Sequence, residues 1–195
     1  MAKLLYQGHG SYRIMTWDGK VIYVDPYAGK GYDLPADCVL VTHQHHDHNK
    51  VKLITQKPNC RVITNVEALE GGKHNSFSFD EIEIEAVEAR NLFHSPKKCV
   101  GYVIAVDGVK IYASGDTSKT EQMSTLAERE IDYALFPCGG ALMNLKEAAE
   151  CARIVKAKHN IPIHIKPGAL FDKKRAERFD APNRLLVEQG EEVEL

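Results

Sequence analysis

Short apolar runs dominate the first half of the chain and predict β-strands. These runs are rich in β-branched and aromatic residues, and polar turn residues separate them, which is the pattern of a sheet protein. The predicted strands are residues 3–7, 12–17, 21–25, 38–42, 61–64, 82–87, 100–106 and 110–113. Asp18-Gly19 and Asp107-Gly108 predict two-residue hairpin turns, because such turns need residues that tolerate a positive φ.

The second half alternates helical and strand patterns. Helices are predicted over residues 118–130, 144–158 and 171–179, and strands over residues 133–136 and 161–165. In the middle helix, Asn144 and Glu147 stand in the register of a capping box. The sequence contains no internal repeat and no linker rich in Pro, Gly or Ser. This order predicts one α/β domain over residues 1–195, with two packed sheets and helices outside.

The amino-acid composition argues against several classes of function. Lys+Arg 25 against Asp+Glu 27 gives a net charge of -2, so the footprint of a nucleic-acid-binding protein is missing. No apolar run approaches the ~18 residues of a membrane helix, and no signal peptide is expected. The 5 scattered cysteines argue against a disulfide scaffold or a thiolate zinc site. We therefore expect a cytoplasmic protein without nucleic-acid or membrane partners, and leave its oligomeric state open.

Candidate chemistry is concentrated where the fourth predicted strand ends. Residues 43–48 are His-Gln-His-His-Asp-His, and in extended backbone His43 and His45 point to the same side. The following turn brings Asp47 and His48 to a second position nearby. Imidazole and carboxylate suit Zn²⁺, and also Mn²⁺ or Fe²⁺, better than Ca²⁺ or Mg²⁺. The alternative is a solvated histidine-rich loop, which would leave these side chains without a role.

The pattern H-x-H-x-D-H at a strand end resembles the signature of the metallo-β-lactamase superfamily. Four further motifs follow that family's order: Asp25 in Val-Asp-Pro, the lone His94, Asp116 in Gly-Asp-Thr, and His164. The resemblance extends over most of the chain, from Gly8 to Gly168. It implies the metallo-β-lactamase fold, a four-layer αβ/βα sandwich of two mixed β-sheets with outer helices.

The resemblance also implies a site for two divalent metal ions, with Zn²⁺ favoured over Mn²⁺ or Fe²⁺. The implied ligands are His43, His45 and His94 for the first ion, Asp47, His48 and His164 for the second, and Asp116 bridging both. Asp25 would hold the histidine motif by hydrogen bonds without binding metal.

Three further residues receive implied roles. His9, in Gly-His-Gly, would support the site or face the substrate. Gly139 and Gly140 would line the substrate pocket, where glycine lets backbone approach the metals. Cys138 beside them is predicted to have no chemical role. His46, His74 and His159 are predicted to face solvent.

The implied chemistry is hydrolysis. Two ions can share one water and lower its pKa from about 15.7 to about 7, giving a bridging hydroxide that attacks the substrate. Asp47 would orient this nucleophile and accept its proton. The most similar subgroup is that of short cytosolic metal-dependent hydrolases, related to L-ascorbate-6-phosphate lactonase and N-acylphosphatidylethanolamine phospholipase D.

We expect the substrate to be a small soluble metabolite with an ester, lactone or phosphoester bond. The 195 residues leave no room for the inserted domain or arm of relatives that act on RNA. Four lysines near the last two histidines of the ligand set favour an anionic substrate; they are Lys97, Lys98, Lys166 and Lys173. The alternatives are a non-catalytic metal-binding sensor, or a di-iron redox protein with a separate electron donor.

Overall fold

The structure is a computed structural model that describes residues 1–139 and 143–195. In these residues, twelve strands form two six-stranded sheets. The first sheet has the order β12-β1-β2-β3-β4-β5, with β1 Lys3–Gly8, β2 Ser11–Met15, β3 Val21–Val24, β4 Ala36–Val41, β5 Gln56–Thr64 and β12 Glu192–Glu194. The second has the order β11-β10-β9-β8-β7-β6, with β6 Ser76–Phe79, β7 Ile82–Glu88, β8 Val100–Val106, β9 Val109–Ala113, β10 Tyr133–Pro137 and β11 His159–Ile163.

Both sheets are mixed, and their parallel parts position the candidate site. Strands β3, β4 and β5 run parallel in the first sheet, as β9, β10 and β11 do in the second. Asp25 follows β3, His43 lies just beyond β4, and His164 follows β11. Because the carboxyl ends of parallel strands share one edge of a sheet, these loops gather where ligands bind in open α/β sheets.

The core lies between the two sheets. Leu4, Ile14 and Leu40 from the first sheet belong to the same buried cluster as Tyr102 and Ile104 from the second. Each such fully buried aliphatic side chain contributes about 1.5–3 kcal/mol. The Tyr102 hydroxyl also donates a hydrogen bond to the Val41 carbonyl, at 3.1 Å, at the end of β4.

Four short α-helices and three 3₁₀ turns surround the sheets in the described residues. They are α1 Asn65–Ala68, α2 Met123–Leu126, α3 Leu145–Val155 and α4 Lys173–Ala176, with 3₁₀ turns at Val51–Leu53, Glu70–Gly72 and Ala127–Arg129. The buried face of α3 packs with α2 against the outer face of the second sheet. The outer face of the first sheet is covered by Tyr32, Leu34 and Ile54. The sandwich of two mixed sheets confirms the predicted fold class.

The predicted helix over residues 118–130 is wrong in length. Only Met123–Leu126 is α-helical, and Ala127–Arg129 continues it as a 3₁₀ turn. Residues before it form tertiary hydrogen bonds instead: Ser118 N donates to the Arg90 carbonyl at 2.8 Å, and Lys119 N donates to Glu147 Oε1 at 3.0 Å. Glu147 is therefore engaged elsewhere, and the predicted capping box is only half formed by Asn144.

Two other local predictions are corrected. The helix predicted over residues 171–179 is shortened to α4, because the Asp172 side chain accepts a hydrogen bond from Arg175 N and fixes the helix start. Strands β2 and β3 are joined by a longer turn than the predicted two residues. Thr16 N bonds the Lys20 carbonyl at 3.0 Å, so residues 17–19 form the turn, with Gly19 at φ 84. The edge strands β6 and β12 were not predicted, since polar residues interrupt their apolar pattern.

Within the part of the chain that the structure describes, no helix combines the length and apolar character needed to cross a membrane.

Candidate metal centre

The histidine motif forms a tight turn directly after β4. The His48 amide donates a hydrogen bond to the His45 carbonyl at 3.0 Å, which closes the turn. His43 and His48 are buried, whereas His45 and His46 are exposed. The motif therefore has a buried face and a solvent-facing face, and His46 faces solvent as predicted.

The Asp116 carboxylate lies at the centre of the site. Its Oδ2 atom is 3.4 Å from His48 Nε2, 3.5 Å from His164 Nε2, and 3.9 Å from Nε2 of both His43 and His94. The loop after β9 reaches this point through Gly115 at φ 64, where a Cβ atom would stand 2.8 Å from the Val100 carbonyl oxygen. Four imidazoles from three separate segments thus converge on one buried carboxylate.

Two groups of potential donors flank this carboxylate. His43, His45 and His94 have ligand atoms within 4.8 Å of one another. On the other side, Asp47, His48 and His164 form a second such group, which includes His9. The structure therefore brings all the predicted metal ligands together, and a third group, His43, His48 and Asp116, joins the two sets that the family resemblance implies.

Asp25 contacts the motif at several points. Its Oδ1 accepts a hydrogen bond from Thr42 N at 2.7 Å, and its Oδ2 accepts one from Thr42 Oγ1 at 2.7 Å. His48 Nδ1 lies 2.9 Å from the same Oδ2. Thr42 Oγ1 is also 3.0 Å from His43 Nδ1, and because its own proton points to Asp25 it accepts from that ring nitrogen. Asp25 therefore fixes two imidazoles with their Nε2 atoms toward Asp116, one directly and one through Thr42.

Asn91 performs the same task for His94, and sequence reasoning missed it. Its Oδ1 lies 2.8 Å from His94 Nδ1 and accepts from the amides of Phe93 and His94, while its Nδ2 donates to the Asp116 carbonyl at 3.1 Å. An amide oxygen only accepts, so His94 Nδ1 carries the proton and Nε2 keeps its lone pair, 3.1 Å from His45 Nδ1. Thr42 was also missed. The available signals were a polar residue at the strand end and an Asn three residues before a ligand.

His9 is closer to the site than a purely supporting role requires. It is buried in the β1–β2 turn at φ 57, and its Nε2 lies 3.1 Å from Asp47 Oδ2. Its ring is 3.7 Å from that of His164, and its carbonyl accepts a hydrogen bond from the His164 amide at 2.7 Å. His9 thus holds two predicted ligands of the second set in place.

The donor chemistry fits metal ions. The Nε2 atoms of His43 and His48 and both ring nitrogens of His164 are buried without a hydrogen-bond partner in the described protein. Buried polar atoms without partners cost about 1–3 kcal/mol each. Since these atoms surround the Asp116 carboxylate, cations at this position would satisfy them, and the nitrogen and oxygen donors suit zinc, manganese or iron.

Burial and the charges of neighbouring side chains shift the pKa values of several residues in the cluster. Burial lowers the pKa of His43 to about 2 and that of His164 to about 4, so both imidazoles are neutral and have free lone pairs near neutral pH. Burial also opposes charge on His48, but the carboxylates of Asp116 and Asp25 outweigh it and raise the pKa of His48. Despite its burial, the nearby histidines hold the pKa of Asp116 well below its usual range. A bound metal would therefore displace a proton from His48.

A cleft of about 850 Å³ opens onto the first donor group. Its lining residues are His43, Gln44, His45, Asn65, Val66, Leu69, Phe93, His94, Ser95, Lys97 and Lys98. Of the four predicted lysines, these two lie in the cleft. Lys166 and Lys173 instead pair with Asp172 at 3.7 Å and Glu188 at 2.6 Å. Those two lysines are not among the residues that line this cleft, and their predicted role stays a prediction.

The loop after β10 lies against His164. A Cβ atom at Gly139 would stand 2.7 Å from the His164 carbonyl oxygen and 3.1 Å from its Nδ1, so the glycine allows this close approach. Gly140 lies outside the described residues.

Cys138 is fully buried, and burial raises the pKa of its thiol. A buried, protonated thiol is unreactive, which is consistent with the prediction that Cys138 has no chemical role. His74 and His159 are exposed, as predicted.

Residues 3–164 match the family model described as the beta-lactamase superfamily domain. A UPF0173 metal-dependent hydrolase of Pyrococcus furiosus is 29% identical over 228 aligned positions, and the match covers 100% of both chains.

Two solved structures are similar as well. A protein of Parabacteroides distasonis assigned as a metal-dependent hydrolase has a TM-score of 0.76 and 28% identity, covering 94% of this chain and 91% of that one. A protein of Thermotoga maritima assigned as a zinc-dependent hydrolase of the metallo-β-lactamase superfamily has a TM-score of 0.67 and 27% identity, with coverage of 92% and 84%.

Proposed function

The chain belongs to the beta-lactamase superfamily, and we propose that it is a dinuclear metal-dependent hydrolase acting on an ester, lactone or phosphoester bond of a small anionic metabolite. One observation carries the proposal: imidazoles whose buried Nε2 atoms have no hydrogen-bond partner converge on the Asp116 carboxylate, and one of them, His43, also lines an open cleft. The names of the similar hydrolases support the same class of reaction.

Two sets of side chains would hold the ions. His43, His45 and His94 would bind the first, and Asp47, His48 and His164 the second, with Asp116 between them. Zinc is the ion we favour, because the donors are imidazole and carboxylate and the Thermotoga maritima relative is assigned as zinc-dependent. When bound, such ions lower the pKa of water and polarise the oxygen of the scissile bond.

Asp47 is the side chain that would accept the proton of the attacking water. Burial favours its neutral form, but the hydrogen bond from His9 and the charge of His48 keep its pKa below the usual range. Asp47 is therefore ionised before the reaction and has an oxygen available to accept a proton. His9 donates from Nε2 to Oδ2 and so fixes the direction in which the carboxylate faces.

The cleft supports a small anionic substrate. Its volume of about 850 Å³ is in the range of small-molecule sites. Lys97 and Lys98 line the same cleft, and no ion pair involves either of them within the described chain. A cytoplasmic location is part of the proposal, since the five cysteines are all free thiols.

A substrate panel tests the proposal. Protein loaded with Zn²⁺ or Mn²⁺ is assayed with bis-p-nitrophenyl phosphate, simple lactones, β-lactams and thioesters. We expect turnover of the phosphodiester or the lactones, its loss in His45→Ala, and its retention in His74→Ala, because His74 is exposed and outside the donor groups. Turnover confined to β-lactams or thioesters would refute the substrate class. A silent panel with full metal content would favour a metal-binding sensor.

A further inference from the structure

The cleft has an apolar wall that the hydrolysis of a small anion does not require. Val66, Leu69 and Phe93 line it alongside the metal-ligand histidines and the two lysines. Phe93 is 66% exposed and Val66 is 64% exposed. Large apolar side chains that stay exposed around a cleft mark a ligand-binding surface, because leaving them in water loses the stabilisation that burial would give.

This wall is held in a fixed position relative to the metal centre. Gln44, inside the histidine motif, donates a hydrogen bond to Asn65 Oδ1 at 2.8 Å, and Asn65 donates to the Lys98 carbonyl at 3.0 Å. Asn65 begins helix α1, which carries Val66. A capping box between Thr64 and Glu67 fixes the start of this helix. The chain of hydrogen bonds therefore ties the apolar wall and the lysine loop to the motif that holds the metal ligands.

The backbone of Phe93 is held by the residue that orients His94. Its amide donates a hydrogen bond to Asn91 Oδ1 at 2.8 Å, the same oxygen that faces His94 Nδ1 at 2.8 Å. The Phe93 backbone and the ligand imidazole thus share one anchor. The preceding residue, Leu92, is 97% exposed but is not among the residues that line the cleft. Leu92 therefore provides a matched apolar neighbour outside the cleft.

We propose that the substrate is an amphiphilic anion: a free small molecule whose apolar group packs against Val66, Leu69 and Phe93 while its anionic group meets Lys97 and Lys98. That this molecule is a substrate rests on the proposed hydrolysis, whereas the binding surface itself does not depend on turnover. An aromatic or short alkyl group matches the wall, since the Phe93 ring offers a face for offset stacking. The lysine ammonium groups are mobile point charges that suit a phosphate-like anion.

Binding of two phosphonates, measured at a pH at which both are dianions, tests the proposal without turnover. Phenylphosphonate and methylphosphonate are titrated calorimetrically into the zinc-loaded protein, so that interactions of the phosphonate group with metal and lysines cancel in the ratio of their affinities. We expect phenylphosphonate to bind about tenfold more tightly, as partial burial of a phenyl ring predicts. Phe93→Ser should remove most of this ratio, and Leu92→Ser should leave it unchanged. Lys97→Gln with Lys98→Gln should weaken both ligands and preserve the ratio.

Folding is checked by the thermal unfolding midpoint, which neither exposed substitution should lower appreciably. Equal affinity of the wild-type protein for the two phosphonates would overturn the proposal, and so would an equal loss of the ratio in the Phe93 and Leu92 variants. A third outcome would also overturn the proposal: the protein binds phosphatidylglycerol vesicles, loses this binding in Leu92→Ser, and shows no preference for phenylphosphonate. That outcome would favour a lipid surface as the partner. A protein that shows the ratio but hydrolyses nothing in the substrate panel retains the amphiphilic binding surface and refutes the proposed hydrolysis.

Discussion

Nδ1 of His48 lies 2.9 Å from Oδ2 of Asp25, and both side chains are buried. The carboxylate only accepts hydrogen bonds, so this contact places the ring proton on Nδ1 and leaves Nε2 facing Asp116, 3.4 Å away. A residue that precedes the histidine motif by almost twenty positions therefore sets how one of its imidazoles presents a lone pair to a metal.

Asp25→Asn tests this relationship. Asparagine tolerates the positive φ of 45 at this position as aspartate does, so the backbone should be preserved. We expect metal affinity or activity to fall by about 10–100-fold, because the variant places a weaker acceptor against His48 and Thr42. Competition with a chelator measures the affinity. Asp33→Asn is the control, since that side chain is 73% exposed. Unchanged affinity in Asp25→Asn would contradict the supporting role.

Asp116→Asn tests the bridging position. The wild-type protein, purified without chelator, should contain about two metal equivalents per chain, and the variant about one or fewer. The reason is that one carboxylate oxygen serves imidazoles of both donor groups. Elemental analysis gives the content, with Asp180→Asn as an exposed control. A wild-type content of one equivalent that added Zn²⁺ does not raise would refute a dinuclear site.

His9→Asn separates two roles of this histidine. Asparagine again suits the positive φ of 57. If His9 positions Asp47, kcat should fall by about 10–100-fold, as when residues that orient metal ligands are replaced, while metal content stays at the wild-type level. Elemental analysis together with steady-state kinetics measures both quantities. Loss of one metal equivalent would instead make His9 a direct ligand.

The stability of the metal-free protein should depend on pH with a defined sign. Burial lowers the pKa of His43 to about 2 and that of His164 to about 4, against 6.5 in the unfolded chain. Between pH 6.5 and 4 the unfolded state therefore binds more protons, and the free energy of unfolding should fall as pH drops, by up to about 1.4 kcal/mol per histidine per pH unit.

His48 acts in the opposite direction. Its pKa is raised, so its stabilising contribution is complete below pH 6.5 and is lost as pH rises through the folded value. Urea unfolding at a series of pH values, with a chelator present, measures both the acid and the alkaline dependence of the free energy of unfolding. His164→Asn should reduce the acid slope, whereas the exposed His159→Asn should not. A flat profile between pH 6.5 and 4 would show that the buried imidazoles do not resist protonation.

Gly139→Ala tests the close approach of the loop after β10. The added Cβ atom would stand 2.7 Å from the His164 carbonyl oxygen, so His164 or the loop must shift. A shift of this size at a metal ligand should weaken metal binding by about tenfold or more, as disruption of supporting contacts does. Gly168→Ala, where φ is 71 and nothing lies within 4 Å of the added atom, shows the effect of backbone strain without a close contact. Wild-type metal affinity in Gly139→Ala would refute the packing argument.

Local patterns determined much of the fold. Alternation of apolar and acidic residues placed β7 correctly, with its isoleucines buried and Glu83 exposed. Asp107 and Gly108 both have positive φ in the hairpin that their sequence predicted. Local patterns failed where tertiary hydrogen bonds competed with helix propensity. Ser118 and Lys119 bond to Arg90 and Glu147 instead of forming a helical turn.

The sequence by itself also indicated which residues to expect at the site. The spacing of His43, His45, Asp47 and His48 is set within a few consecutive residues, and the resemblance to a known family implied the more distant ones. Only the tertiary structure decided how their lone pairs are aimed. Thr42 and Asn91 set the tautomers of His43 and His94, and carboxylates pair with Lys166 and Lys173 while Lys97 and Lys98 lie in the cleft. The physical reason is that spacing depends on neighbours along the chain, whereas burial, proton position and charge pairing depend on atoms that folding brings together from distant segments.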